Sequence, residues 1–309
     1  YQSVEISFNY KWKIKRVSKS KRDFRMPWWN WGWYKKRENI YQTESIAYSE
    51  VDQWIEKGWE IDTSFKKTHR LRKKKDEAWQ FEDRVWVLFA KLGFHILNKD
   101  RNFRIPYQNN ADITQQIDVF AADDETMFVI ECKAAKSQMK TESFKKLIDA
   151  LGGQKQGIFH YLDSIYPDQK FKKKIIFVTK NYEINQIDKN RLKHYDIFHF
   201  DEQDIEYYEK LVRHLGTSAR YQLLGTLFEG QKIPGLDMKI PAIRGKMGGH
   251  NYYMFSIQPK KLLKVGYILH KSRYNSESFQ RIIKRNRLTK IKKFIEEGGF
   301  FPNSIIVNI

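Results

Sequence analysis

A single cysteine, Cys132, in a chain of 309 residues excludes an intrachain disulfide framework and points to a reducing, intracellular setting. With eight histidines, all scattered, it also argues against a structural zinc site. No apolar run approaches the roughly 18 residues of a membrane-spanning helix, and no signal pattern opens the chain, so a cytoplasmic protein without membrane contacts is expected. The Gly-x-x-x-x-Gly-Lys-Ser/Thr loop is missing, which removes ATP binding of the P-loop kind, and so is the Gly-x-Ser-x-Gly elbow of serine hydrolases. Internal repeats and low-complexity tracts are absent as well. Above all, negative charge is short: 37 Asp and Glu stand against 57 Lys and Arg, a net charge of +20.

The composition is otherwise globular, with 41% hydrophobic and 15% aromatic residues, enough for a sizeable core. The length allows two domains. Positive charge is uneven along the chain: residues 1–75 carry +10, residues 76–215 carry −2, and residues 216–309 carry +12. Two basic flanks around a near-neutral middle suit a polyanion held at the ends while the middle acts on it. Each neutralised phosphate releases condensed counterions, so nucleic acid is the partner this distribution favours over mere solvated lysines.

Residues 1–75 form a segment of their own, holding seven of the nine tryptophans. Trp28, Trp29, Trp31 and Trp33 run directly into Lys35, Lys36 and Arg37. Indoles beside cations can stack on bases, but aromatics more often bury themselves, here in a small β-rich lobe. The segment closes on Arg72, Lys73 and Lys74, read as a linker or a phosphate-contacting stretch.

The middle alternates helices and strands. Asp76 to Leu92 carries Phe81, Val85, Leu88 and Leu92 at helical spacing, with Asp76 as cap and Gly93 as stop. Strands are expected over Gly93–Asn98, Ile113–Ala121 and Met127–Ala134, the last two joined as a hairpin. A helix over Thr141–Leu162, strands over Ile175–Thr179 and Ile197–Phe200, and a helix from Asp201 to about Leu215 complete an α/β sheet covered on both faces. The last segment is basic and α+β, with Arg281, Lys284, Arg285 and Arg287 on a helix or helix pair over Ser276–Glu297. The chain opens on Tyr1 rather than Met and stops inside a predicted strand, so a fragment is expected.

Glu131-Cys132-Lys133 is the sharpest chemical feature, because it ends the apolar strand Met127-Phe128-Val129-Ile130. Alternation puts Glu131 and Lys133 on one face, with Cys132 on the other, packing rather than reacting. An in-register hairpin brings Asp118 beside Glu131. Adjacent carboxylates repel unless a cation sits between them, and hard oxygen ligands suit Mg²⁺. Lys133 could then serve the water or the charge on a phosphate. An ordinary Glu–Lys ion pair at a strand end is the competing reading. Glu82 lies beside the sheet-facing stripe of the first helix, either reaching toward the metal or solvated. Gln154 falls on the apolar stripe of its own helix with Leu147, Leu151 and Ile158, where a buried amide needs a partner. A break at Gly152-Gly153 would re-aim it.

Glu82, Asp118, Glu131-x-Lys133 and Gln154, in this order of elements, resemble the PD-(D/E)XK nuclease superfamily, most of all its Mrr-type restriction endonuclease branch. The likeness covers about residues 76–215. It implies a restriction-endonuclease-like αβββαβ core and hydrolysis of DNA phosphodiesters with Mg²⁺, for which Mn²⁺ can substitute. Asp118 and Glu131 would bind the metal with support from Glu82. Lys133 would assist the water, and Gln154 would orient the lysine or contact the backbone. Ile117, not proline, precedes Asp118, a departure frequent in this branch.

Pro241-Ala242-Ile243-Arg244-Gly245-Lys246-Met247 with Tyr252–Gln258, and later Arg287–Phe294 with Phe301–Ile305, resemble the opening of DGQHR-domain proteins, which are ParB-like and accompany phage defence. The expectation is a metal-dependent endonuclease acting on double-stranded DNA in restriction or antiviral defence, as a homodimer or within a defence complex. Rival readings are a catalytically silent nucleic-acid sensor or scaffold and an RNA or DNA-junction nuclease.

Overall fold

A computed structural model of the chain describes residues 31–108, 112–139, 143–229, 240–247, 250–258, 262 and 285–299. Trp28, Trp29, Arg281 and Lys284 lie outside the described residues, as does the predicted strand at 305–309.

The N-terminal part pairs a helix with a small antiparallel sheet. Trp31 and Trp33 stand in a helix, α1 (Trp31–Glu38). Strand β1 (Tyr41–Ala47), a short 3₁₀ turn, α2 (Val51–Glu56), β2 (Glu60–Ser64) and β3 (Thr68–Lys74) follow. The strands form an antiparallel sheet in the order β1-β3-β2. Its small core is Ile46, Val51 and Leu71. Trp54 and Trp59 pack on it edge to face, 5.0 Å apart. The basic run expected as a linker is therefore the central strand β3. Leu71 in its middle is wholly buried, and the acids of β2 supply counter-charge to Arg70 and Arg72.

Helix α3 (Glu77–Leu92) starts where Asp76 accepts the Trp79 N–H at 2.8 Å and stops at Gly93, whose φ of 93° suits glycine. Next come β4 (Ile96–Leu97), β5 (Arg104–Pro106), β6 (Thr114–Gln116), β7 (Val119–Ala122) and β8 (Thr126–Met139). They are followed by α4 (Lys145–Ile165), β9 (Lys172–Tyr182), α5 (Gln186–His194), β10 (Ile197–Phe200), α6 (Glu202–Leu215) and α7 (Ala219–Leu227). Strands β11 (Ile243–Met247) and β12 (His250–Met254) make a separate hairpin, and α8 (Arg285–Glu296) is the last described helix. The fold is mixed α/β. A five-stranded sheet, ordered β10-β9-β8-β7-β4, is antiparallel through β4, β7 and β8 and parallel through β8, β9 and β10. No helix among the described residues is long and apolar enough to cross a membrane.

Alternation along β8 sorts the core into two layers. Phe128, Ile130 and Cys132 join the cluster under α3, α6 and α7, while Met127 and Val129 join the cluster under α4 and α5. The first layer continues past Leu215 to Ala219, Leu223, Leu224, Leu227 and Phe228. Sequence reading missed α5, whose polar surface leaves Leu192 as its buried apolar anchor. The strand expected over Ile113–Ala121 is interrupted at Ile117-Asp118. Helix α4, by contrast, runs unbroken through Gly152-Gly153. A Cβ at Gly152 would enter the ring of Tyr195, and one at Gly157 would enter the backbone carbonyl of Tyr107. These two glycines are packing requirements, and burial on both sides holds the helix together.

Gly153 has open space around it, so Gly153→Ala should stabilise the protein by about 1 kcal/mol through helix propensity. Gly157→Ala has the same propensity gain but must displace Tyr107, and overpacking costs about 1–3 kcal/mol. Thermal melting of the two variants should therefore shift in opposite directions.

Candidate active site

The interruption between β6 and β7 creates the site. In the β7–β8 ladder Val119 stands opposite Ile130, so one step further Asp118 stands opposite Glu131. At that point the ladder changes partner: the Asp118 carboxylate accepts the Cys132 N–H at 2.8 Å. Asn98 holds the kink, donating to the carbonyl oxygens of Asp118 and Asp100, each at 3.1 Å, and accepting the Phe120 N–H at 3.0 Å. Trp86 in turn donates to the Asn98 carbonyl at 2.9 Å. Ile117, 1% exposed, anchors the other side. Sequence reading gave Asn98 no role beyond ending the strand expected over Gly93–Asn98, and an asparagine at that end was its only signal.

Alternation on β8 puts Glu131 and Lys133 on the α4 face, opposite Cys132. The Lys133 ammonium touches Glu131 Oε1 at 2.6 Å and the Cys132 carbonyl at 3.3 Å. Cys132 is a buried free thiol, and burial lifts it well above the ordinary thiol range, which suits packing and not nucleophilic attack.

Glu82 reaches the same neighbourhood from α3. Burial pushes it to about 7, and the Asp118 carboxylate adds to the rise. Glu131 is likewise pushed to about 7 by burial and then by Asp118. Asp118 is raised by burial, against the pull of the Cys132 N–H, Lys133 and Arg101. Burial alone would lower the Lys133 ammonium, but Glu131 and Asp118 outweigh it and raise its pKa. Asp118 and Glu131 thus share one ammonium, while Glu82 beside them pairs with Arg101, and the two desolvated carboxyl groups favour a further cation.

A second layer of charge lies behind Glu82. Asp83, buried, pairs with Arg37 at 2.9 Å, Lys75 at 2.7 Å and Arg101 at 2.5 Å. Arg101 also binds Glu82 at 2.5 Å and lies 4.7 Å from the centre of the Trp79 ring. Arg37 therefore does not present a free cation to a polyanion: its side chain is 9% exposed, lying against Asp83 with the Trp86 ring 5.1 Å away. Arg72 pairs with Glu60 at 3.4 Å, lies 5.1 Å from the Tyr41 ring centre, and remains 41% exposed. Lys73 donates to the Lys57 carbonyl at 2.6 Å. Lys35, Lys36, Lys74 and Arg287 are exposed, and Arg285 begins α8.

The structure brings Asp118, Glu131 and Lys133 together with Glu82 beside them, and Gln154 on α4 makes no recorded hydrogen bond to them among the described residues. Its amide oxygen is buried without a hydrogen-bond partner among the described residues, and Lys133 is oriented by Glu131 and the Cys132 carbonyl instead. Among the described residues no group of three or more His, Cys, Asp or Glu side chains is arranged to hold a metal. Two carboxylates on adjacent strands still fit Mg²⁺, which takes one or two carboxylates and completes its shell with water and phosphate.

The raised carboxyl groups fix a sign for the pH dependence. A group whose folded value lies above its ordinary one keeps its proton longer when folded, so its contribution declines as pH rises from about 4.5 to about 7. Relative to Glu82→Gln, the native chain should lose stability across that window, read by urea denaturation at a series of pH values. Asp83→Asn should cost about 3–5 kcal/mol, because Arg37, Lys75 and Arg101 would then surround a neutral amide.

No family model matches the chain, and no curated protein is similar to it. Among solved structures it is similar to protein VC1899 from Vibrio cholerae, with 9% identity over 64% of this chain and 49% of that one, at a TM-score of 0.32. The chain spans about half the length of that protein, and a likeness this shallow carries no argument about fold or activity.

Proposed function

We propose that the chain is a Mg²⁺-dependent DNA endonuclease with a restriction-endonuclease-like fold, acting in defence against foreign DNA. The observation that carries this reading is the convergence of Asp118 and Glu131 across adjacent strands with Lys133 bonded to Glu131. The elements that build and cover the main sheet, α3, β4, β7, β8, α4 and β9 with the β5–β6 hairpin inserted after β4, support it, since their order matches that expected of an αβββαβ core.

Asp118 and Glu131 would hold the ion, with Glu82 beside them. A bound Mg²⁺ supplies Lewis acidity and a more acidic water. The chain's residues do the rest. The Cys132 N–H fixes the Asp118 carboxylate, so no ordering is needed when substrate arrives. Lys133, with its raised pKa, is an ammonium at neutral pH and so orients the attacking water and balances charge growing on the phosphate. The exposed cations Lys35, Lys36, Lys74 and Arg287 would grip the duplex backbone. One such site per chain cuts one strand at a time, so double-strand cleavage calls for a homodimer or a larger defence complex.

The test is plasmid DNA with Mg²⁺ or EDTA, offered to the native chain, Asp118→Ala and Lys133→Ala. Cutting should require the metal and fall by about 10²-fold or more in each variant. Binding by the native chain without any cutting would leave a silent sensor or scaffold. Cutting confined to structured RNA or a four-way junction would change the substrate class.

A further inference from the structure

The charges behind Glu82 do not balance. Two acids, Glu82 and Asp83, face three cations, Arg37, Lys75 and Arg101. Arg37 and Lys75 are fixed in place. Lys75 also donates to the carbonyls of Lys36 at 2.7 Å and Asn39 at 2.6 Å, and both side chains are under a tenth exposed. Arg101 is the member that reaches solvent, with 22% of its side chain exposed. Asp83 keeps two cations without it. Glu82 has no other ion-pair partner than Arg101 among the described residues, and Glu82 stands next to Asp118.

We propose that Arg101, stacked on Trp79, is the residue that binds a substrate phosphate beside the carboxylates. Its guanidinium is anchored beside the site: the Trp79 ring is 4.7 Å away and the Trp79 carbonyl accepts at 3.2 Å. A guanidinium suits this task because it offers paired donors to two phosphate oxygens at once. Turning the fork from Asp83 to a phosphate strands no buried charge on Asp83. Glu82 would be compensated by the cation held at Asp118 and Glu131, so the two binding events favour each other. The inference rests on the nuclease reading and names the group that meets its substrate.

The experiment is equilibrium binding of a short labelled DNA duplex to the full chain in Ca²⁺, across a salt series, by fluorescence anisotropy. Arg101→Gln should weaken binding about tenfold and reduce the slope of log affinity against log salt by about 0.9, the share of one phosphate contact. Arg101→Lys should keep the slope and lose part of the affinity. Circular dichroism and melting confirm that each variant folds. Should Arg101→Gln not fold, Trp79→Leu tests the same point, since loss of the stack should weaken binding at unchanged slope. A native slope and affinity in folded Arg101→Gln, or native affinity in Trp79→Leu, overturns the proposal. If the native chain cuts plasmid while these variants bind as it does, only Arg101's role falls. If the native chain binds no polynucleotide, the nuclease reading falls with it.

Discussion

The hydrogen bond from the Cys132 N–H to the Asp118 carboxylate is the constraint on which the site depends. It replaces a rung of the β7–β8 ladder with a side-chain contact, so the strand must end there and the carboxylate must stand at Glu131. Asn98 makes the break tolerable by satisfying the groups it frees on both sides. A straight strand would satisfy the same backbone groups, but its own rungs would leave the Cys132 N–H unavailable to a carboxylate.

Around this bond the structure stores electrostatic tension. Burial disfavours the charged forms of Asp118, Glu131 and Glu82, and their proximity adds repulsion. Lys133 and Arg101 relieve it from opposite sides, one on the sheet and one on the loop after β4. A site satisfied by its own side chains would have little use for an incoming cation. This one is left short of positive charge at the carboxylates and long of it behind Glu82, a separation that suits a divalent ion in one place and a phosphate in the other.

The basic character of the chain divides into two kinds. Arg37 and Lys75 serve the interior, neutralising Asp83, while Arg70 and Arg72 are partly matched by Glu60 and Asp62 across the sheet. Lys35, Lys36 and Lys74 project outward. Neighbouring positions in one run, Lys36 and Arg37 or Lys74 and Lys75, thus point to opposite environments, as helix and strand periodicity requires.

Periodicity and punctuation alone determined much of this protein. The capped stripe of α3, the β7–β8 hairpin, the shared face of Glu131 and Lys133, and the Asp201 cap of α6 follow from local rules that act within a few residues. Only tertiary structure decided the rest. It kept α4 whole although Gly152 and Gly157 are held as glycines by Tyr195 and Tyr107, and it made a strand of the run ending at Lys75 because Leu71 had a core to enter. It drew Arg37 inward and Arg101 to Glu82, and left the Gln154 amide oxygen without a partner among the described residues. The physical reason is range: backbone propensity and side-chain alternation are properties of neighbours in sequence, whereas the partner of a buried charge or the space beside a glycine is set by residues tens of positions away.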